Sequence, residues 1–217
     1  MARGYDRSDD APRIYRYVLM YDGGMAPNPR DGLVTLATCK PQIRATARKG
    51  DWVIGNFPSP NNDVVAWAGK VGEVRGIVEY AEQYPERDDA LHEYSKTRRI
   101  RRIEGKHTWY HPGADEQRKD KCGHVLVFER KHSWYFGENG RQIPPAIGHL
   151  IVHGQGHRLT SRQDGDLEAL IRWLKEQGPP GIHGEPRGGW AGPDESDRSG
   201  WGLRGQTGNK AKRATGC

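Results

Sequence analysis

The chain has 217 residues, 34% of them hydrophobic, with a mean hydropathy of -0.91, which suits one core with polar ends. Lys and Arg number 34 against 28 Asp and Glu, giving a net charge of +6 and a pI near 9.3, a balance that favours a phosphate-bearing partner. No run approaches the roughly 18 apolar residues of a membrane span. The three cysteines, Cys39, Cys122 and Cys217, lack the paired spacing of a disulfide framework or zinc knuckle, so a reducing, cytoplasmic setting away from membranes is expected.

Residues 1–12 alternate charge signs up to Pro12 and read as a disordered N-terminus, neither signal nor transit peptide. Aromatic and branched residues make "RIYRYVLMY" a first strand, and the Gly, Pro and Asp of "DGGMAPNPRDG" end it in an ordered or functional loop. A short strand "LVTLAT" leads to a helix over Pro41–Lys49: Pro41 fits the first helical position, Ile43 and Ala47 share a face, and Arg48, Lys49 and Gly50 supply the stop. "DWVIGNF" is a strand, and the Gly-punctuated "VVAWAGKVGEVRGIVEY" is one kinked strand or two.

Residues 80–97 read as weakly helical, divided by Pro85, and 107–123 as loop. "HVLVF" and "SWYFG" are strands around a basic turn, and "AIGHLIVHGQGHR" holds one more. "DLEALIRWLKEQ" carries Leu167, Leu170, Ile171 and Leu174 at helical spacing, with Asp164 as cap and Gly178 and Pro179 as stop. Residues 178–217, rich in Gly and Pro, bury too little to offset their ordering entropy and read as a disordered tail with a basic end. Trp190 and Trp201 are its handles for a protein partner. The expected fold is an α+β domain over residues 13–177, a curved sheet or small β-barrel with an early helix and a C-terminal helix.

Several residues are able to carry chemistry. A helix beginning at Pro41 offers free N–H groups to an anion, with Lys40 beside them, and Cys39 there is either an activated thiol or a small buried hydrophobe. The segment 96–106 sets Arg98, Arg99, Arg101 and Arg102 around Ile100 and Ile103, a strand suited to phosphates. Trp52 and Trp67 lie in apolar strands and read as core, whereas Tyr110 and Tyr135 adjoin polar loops and suit a pocket rim for a stacked base. His107, His111, Cys122, His124 and His132 do not have knuckle spacing, so no metal or cofactor is expected. Among Asp22, Asp51 and Asp63, nothing marks one as an acid or base, and Asp51 most simply shapes a turn.

The run "YRYVLMYDGGMAPNPRDGLVTLATCKPQIRATARKGDWVIG" resembles nucleotide modification associated domains of the second type, through "APNP" at 26–29, "TLATCKP" at 35–41, "IR" at 43–44 and "GDWVIG" at 50–55. "YFG" at 135–137, "IPP" at 143–145 and "GHR" at 156–158 extend the likeness. "ARKGDWVIG" followed by "WAGKVGEV" is also similar to the PUA-like group of EVE, YTH and ASCH domains, where a helix enters a barrel strand through a Lys-Gly-Asp turn. The first resemblance implies a role in making or handling modified bases of phage and bacterial DNA. On that reading Lys40, Arg44, Arg158 and the 98–102 arginines contact nucleic acid, while Asn28, Tyr110 and Tyr135 form a base pocket. Two functions follow: a domain that binds nucleic acid or a modified nucleotide, or an enzyme acting on a base through Cys39, His111 or His157.

Overall fold

In the computed structural model, residues 11–154, 157–159 and 165–192 are described. The first strand, β1 (Ile14–Val18), is followed by a loop and the two-residue β2 (Thr35–Leu36). Helix α1 (Pro41–Thr46) is shorter than its sequence pattern, because Ala47 is extended and the Asp51 carboxylate takes the Arg48 N–H at 2.8 Å and the Arg13 N–H at 2.9 Å. Asp51 thus shapes a turn that also anchors the start of β1. Then come β3 (Trp52–Asn56) and β4 (Val64–Arg75), a single 12-residue strand whose register shifts at Gly69–Val71 and Val71–Glu73 bend it.

The middle of the chain departs most from expectation. Residues read as the end of a strand form helix α2 (Ile77–Gln83), and the basic run becomes half of a hairpin, β5 (His92–Tyr94) with β6 (Ile100–Arg102). A further helix, α3 (Ala114–Asp120), occupies what reads as loop. Its side chains carry no apolar stripe, but acids in its first turn and bases in its last suit the helix dipole, and Glu116 accepts the Gly113 N–H at 3.2 Å. Two expected strands merge into β7 (Val125–Tyr135), then β8 (Arg141–Gln142) and a 3-10 turn at Pro145–Leu150, where Pro144 and Pro145 have no N–H to give a strand ladder. β9 (His157–Leu159) and the amphipathic α4 (Asp166–Glu176) follow.

The main sheet runs β10 (Gly181–Ile182)-β7-β4-β3-β1-β9, with β2 added to β7 and β8 to β4, so the fold is α+β on a curled sheet. β1 and β3 are parallel, Ile14 opposite Trp52 through Val18 opposite Asn56, and their ends open together. One face buries Tyr15, Tyr17, Val53, Trp67 and Phe128 under Ile43 and Ala47; the other buries Trp52, Ile54, Ala68 and Trp134 under Leu170, Trp173 and Leu174 of α4. Trp52 and Trp67 are therefore core. Beyond Gln177, where composition suggests only a tail, β10 (Gly181–Ile182) pairs with β7 opposite Trp134 and Tyr135. The strap that follows packs on the 21–24 loop, because its glycines and prolines let the backbone lie close: Gly188 N–H reaches Asp22 O and Ala191 N–H reaches Gly23 O, each at 2.8 Å. Residues 193–217, including Trp201, lie outside the described residues. Among the described residues, no helix is long and apolar enough to cross a membrane.

Candidate functional site

β2 ends on the sheet, and the chain must turn sharply into α1. It does so through two consecutive left-handed residues, Cys39 (φ 53°) and Lys40 (φ 40°). A side chain in this region costs on the order of 1–3 kcal/mol, so the surroundings must impose it. They do: the Cys39 N–H donates to Asp120 Oδ1 at 2.9 Å, the Arg44 guanidinium donates to Cys39 O at 3.1 Å, and the Arg44 N–H closes on Lys40 O at 3.1 Å.

His111 comes from the segment between β6 and α3 and is itself left-handed (φ 48°). Its Nε2 lies 3.6 Å from Cys39 Sγ, and its Nδ1 lies 2.7 Å from Asp120 Oδ2. Asp120, the last residue of α3, is buried, so one carboxylate fixes the nucleophile's backbone with one oxygen and orients the imidazole with the other. Tyr110 stacks on the His111 ring at 4.1 Å and places its hydroxyl 3.4 Å from Sγ and 3.1 Å from Thr38 Oγ1. Gly123 closes the arrangement: at φ 80° its Cα faces the α1 backbone so closely that a Cβ would sit 2.9 Å from Ala45 N.

The electrostatics follow from these contacts. Burial pushes the Cys39 thiol up, but the hydrogen bond and positive charge of His111, with the Tyr110 hydroxyl, outweigh it and bring the thiol below its ordinary range. Burial disfavours the His111 cation, yet Asp120 and Cys39 raise its pKa to about 10. Asp120, for which burial favours the neutral form, is held below the usual carboxylate range by His111, the Cys39 N–H and Arg44. These shifts favour a thiolate–imidazolium pair backed by a carboxylate. Behind Asp120, burial drives His92 down to about 4, which keeps it neutral.

Cys39, His111 and Asp120 also bring one potential metal-ligand atom each within 4.8 Å of the others. In hydrogen bonding, Sγ and the carboxylate meet opposite nitrogens of the imidazole, which makes a chain from thiol to carboxylate. His107 pairs with Asp88 at 3.3 Å and His132 with Glu129 at 2.6 Å, and neither belongs to this cluster.

The comparisons bear on which chemistry this site serves. The sequence profile of nucleotide modification associated domain 2 matches residues 11–192. The chain belongs to that family. Its membership ties the chain to nucleotide modification systems. Neither a curated protein nor a solved structure matches it.

For this member of the nucleotide modification associated family, the structure redistributes the residues singled out from sequence. It joins Cys39 with His111 and adds Asp120, which sequence reasoning passed over among many acids. Lys40 does not stand at a free helix end: its ammonium lies 4.4 Å over the Tyr17 ring and donates to Val18 O at 3.5 Å. Burial lowers its pKa, and the Cys39 charge raises it in part. Arg44 is fully buried on the carbonyls of Cys39, Asp120 and His124, so it faces no phosphate and instead clamps the site. Asn28 and Tyr135 are buried too: Asn28 accepts from Arg87 at 2.9 Å, and the Tyr135 hydroxyl donates to Asp22 at 2.7 Å. Tyr110 is buried against the thiol and forms no open rim. On the β5–β6 hairpin Arg98 and Arg99 are exposed, Arg101 pairs with Glu93 at 2.7 Å, and Arg102 turns back to the His107 carbonyl at 2.5 Å. The side chains of His157 and Arg158 lie outside the described residues.

Proposed function

We propose that this chain is a thiol-dependent enzyme that transfers or removes a substituent on a modified nucleotide. The observation that carries the reading is the Cys39–His111–Asp120 geometry, a nucleophile, a base and an orienting carboxylate in hydrogen-bond sequence. The Cys39 thiolate attacks an electrophilic carbon of the substituent and forms an S–C bond. The leaving atom departs with the proton on His111 Nε2. Water or an acceptor amine then attacks the S-linked carbon, returns a proton to His111 and releases the Cys39 thiolate.

Incubation with hypermodified nucleotides or DNA, followed by intact-mass measurement, is expected to show an adduct on Cys39 and product formation that Cys39→Ser abolishes. Asp120→Asn keeps the shape of the site but loses the charge behind the imidazolium, and turnover is expected to fall by about 10²- to 10⁴-fold. Product formation undiminished in Cys39→Ser would refute the reading.

The exposed Arg98 and Arg99 at the hairpin tip support the further statement that the nucleotide is presented on a polynucleotide. Arg98→Ala with Arg99→Ala is expected to weaken DNA binding evenly across sequences and to flatten its salt dependence by about one to two charges in a fluorescence-anisotropy titration.

A further inference from the structure

Where β1 and β3 end side by side, the chain forms a groove of about 330 Å³, walled by Met20, Asp22, Phe57, Pro58, Pro60 and Arg187. Arg187 comes from the strap after β10 and is set by its backbone: its N–H meets Asp22 Oδ2 at 3.2 Å, the Gly188 N–H meets Asp22 O at 2.8 Å, and the Tyr21 hydroxyl donates to Gly188 O at 3.1 Å. Its exposed guanidinium lies 4.5 Å over the Phe57 ring, so one face is stacked and its edge is left to the groove. Asp22 makes no ion pair with it: its oxygens take the Tyr135 hydroxyl and the Arg187 N–H, and burial raises its carboxyl above the ordinary range.

A second cation lies outside the groove's lining, against the end of β1 that leads into it. Lys40 reaches the carbonyl of Val18, the residue before the Leu19–Asp22 stretch that walls the groove, and Lys40 is the neighbour of Cys39 in the chain. Among the described residues neither Lys40 nor Arg187 has a carboxylate within ion-pair distance. An apolar-walled groove carrying one planar, stacked cation, with a second cation against the strand end that leads into it, suits a ligand that is part apolar and part anionic.

Resting on the thiol-enzyme reading, we infer that this groove is the substrate's phosphate subsite: Arg187, with Lys40 behind it, holds the 5′-phosphate of a nucleotide so that its substituent reaches Cys39. The phosphate belongs either to a free nucleotide or to a DNA backbone.

Calorimetric titration of the full chain with a deoxynucleoside 5′-monophosphate, the matching nucleoside, inorganic phosphate and a short single-stranded oligonucleotide tests it. The monophosphate is expected to bind at least 10-fold tighter than the nucleoside, with Arg187→Ala and Lys40→Gln each removing most of that difference. Arg187→Ala is the safer variant for folding, because the residue is exposed and its position is set by main-chain bonds. Preference for the oligonucleotide that is likewise lost in Arg187→Ala assigns the phosphate to a backbone. Preference for the monophosphate assigns it to a free nucleotide. Equal affinity for nucleoside and monophosphate, or unchanged affinity in Arg187→Ala, overturns the subsite. The alkylation behaviour of Cys39 reports on the thiol alone, so failure of the phosphate subsite is distinguishable from failure of the enzyme reading.

Discussion

Alkylation of Cys39 by iodoacetamide is expected to rise less steeply between pH 6 and 8 than that of an ordinary thiol, which accelerates on the order of 100-fold because its thiolate fraction grows with pH. The shifts favour the ion pair: Cys39 is lowered by His111 despite its burial, and His111 is raised to about 10 by Asp120 and Cys39 despite its own. Peptide mass spectrometry separates Cys39 from Cys122 and Cys217 and supplies the rate. His111→Asn removes the cation and is expected to restore the steep rise with pH. A steep rise in the unsubstituted protein would mean that the 3.6 Å contact between Sγ and Nε2 joins two neutral groups.

The same pair shapes stability. The raised His111 contributes fully below its unfolded value of about 6.5 and loses that contribution as pH climbs towards 10. The lowered Cys39 contributes fully above its unfolded value of about 8.5 and loses it as pH falls. The two slopes oppose each other from the lowered Cys39 value up to about 8.5, so urea midpoints should vary least there and decline as pH climbs from about 8.5 towards 10. Cys39→Ala with His111→Ala is expected to flatten the profile, apart from the contributions of other titrating groups.

What the sequence disclosed was governed by periodicity. Strands β1, β3 and β4 and helix α4 carry apolar residues at spacings of two or near 3.6, and these elements were legible with Trp52 and Trp67 as core. Helix α3 was not, because "ADEQRKD" has no apolar face; its reason to exist is the Arg44 guanidinium and the Cys39 N–H that its C-terminal end receives. Cys39 and His111 were recognisable as reactive types, but the site needs residues 39, 111 and 120 brought together by non-local packing, and no local spacing encodes that. The one local signal was indirect: a Cys-Lys pair directly before a helix-starting proline has to turn abruptly, and the turn took a left-handed form at both residues.

Charge misled for a related reason. An arginine in "KPQIRATARKG" looks like a phosphate contact, but Arg44 is fully buried, and only the folded chain shows its three carbonyl partners. Burial weakens the guanidinium's hold on its proton, and the negative charges of Asp120 and Cys39 offset this only in part; a guanidinium starts so basic that the cation is retained where it makes the clamp.

Arg44→Met is therefore expected to be the most destabilising single change at the site. Methionine fills much of the space but donates nothing, leaving the carbonyls of Cys39, Asp120 and His124 buried without this donor. At about 1–3 kcal/mol for each orphaned buried acceptor, with some relief from relaxation, the loss is on the order of 3–5 kcal/mol, as for other broken buried charge contacts. For a domain of this size that lowers the melting temperature by roughly 6–20 °C. Thermal unfolding followed by circular dichroism measures it. Arg44→Lys retains the charge but cannot span three carbonyls in one plane, and should fall between the two. The functional signature is separate from the stability one. With Cys39 O released, the left-handed turn keeps only the Cys39 N–H bond to Asp120 and the main-chain bond to Lys40 O, so in Arg44→Lys protein that is still folded at 20 °C the alkylation of Cys39 should regain part of its pH dependence. A variant as stable as the parent, with its shallow profile intact, would show that Arg44 fills space and does not hold the thiolate in place.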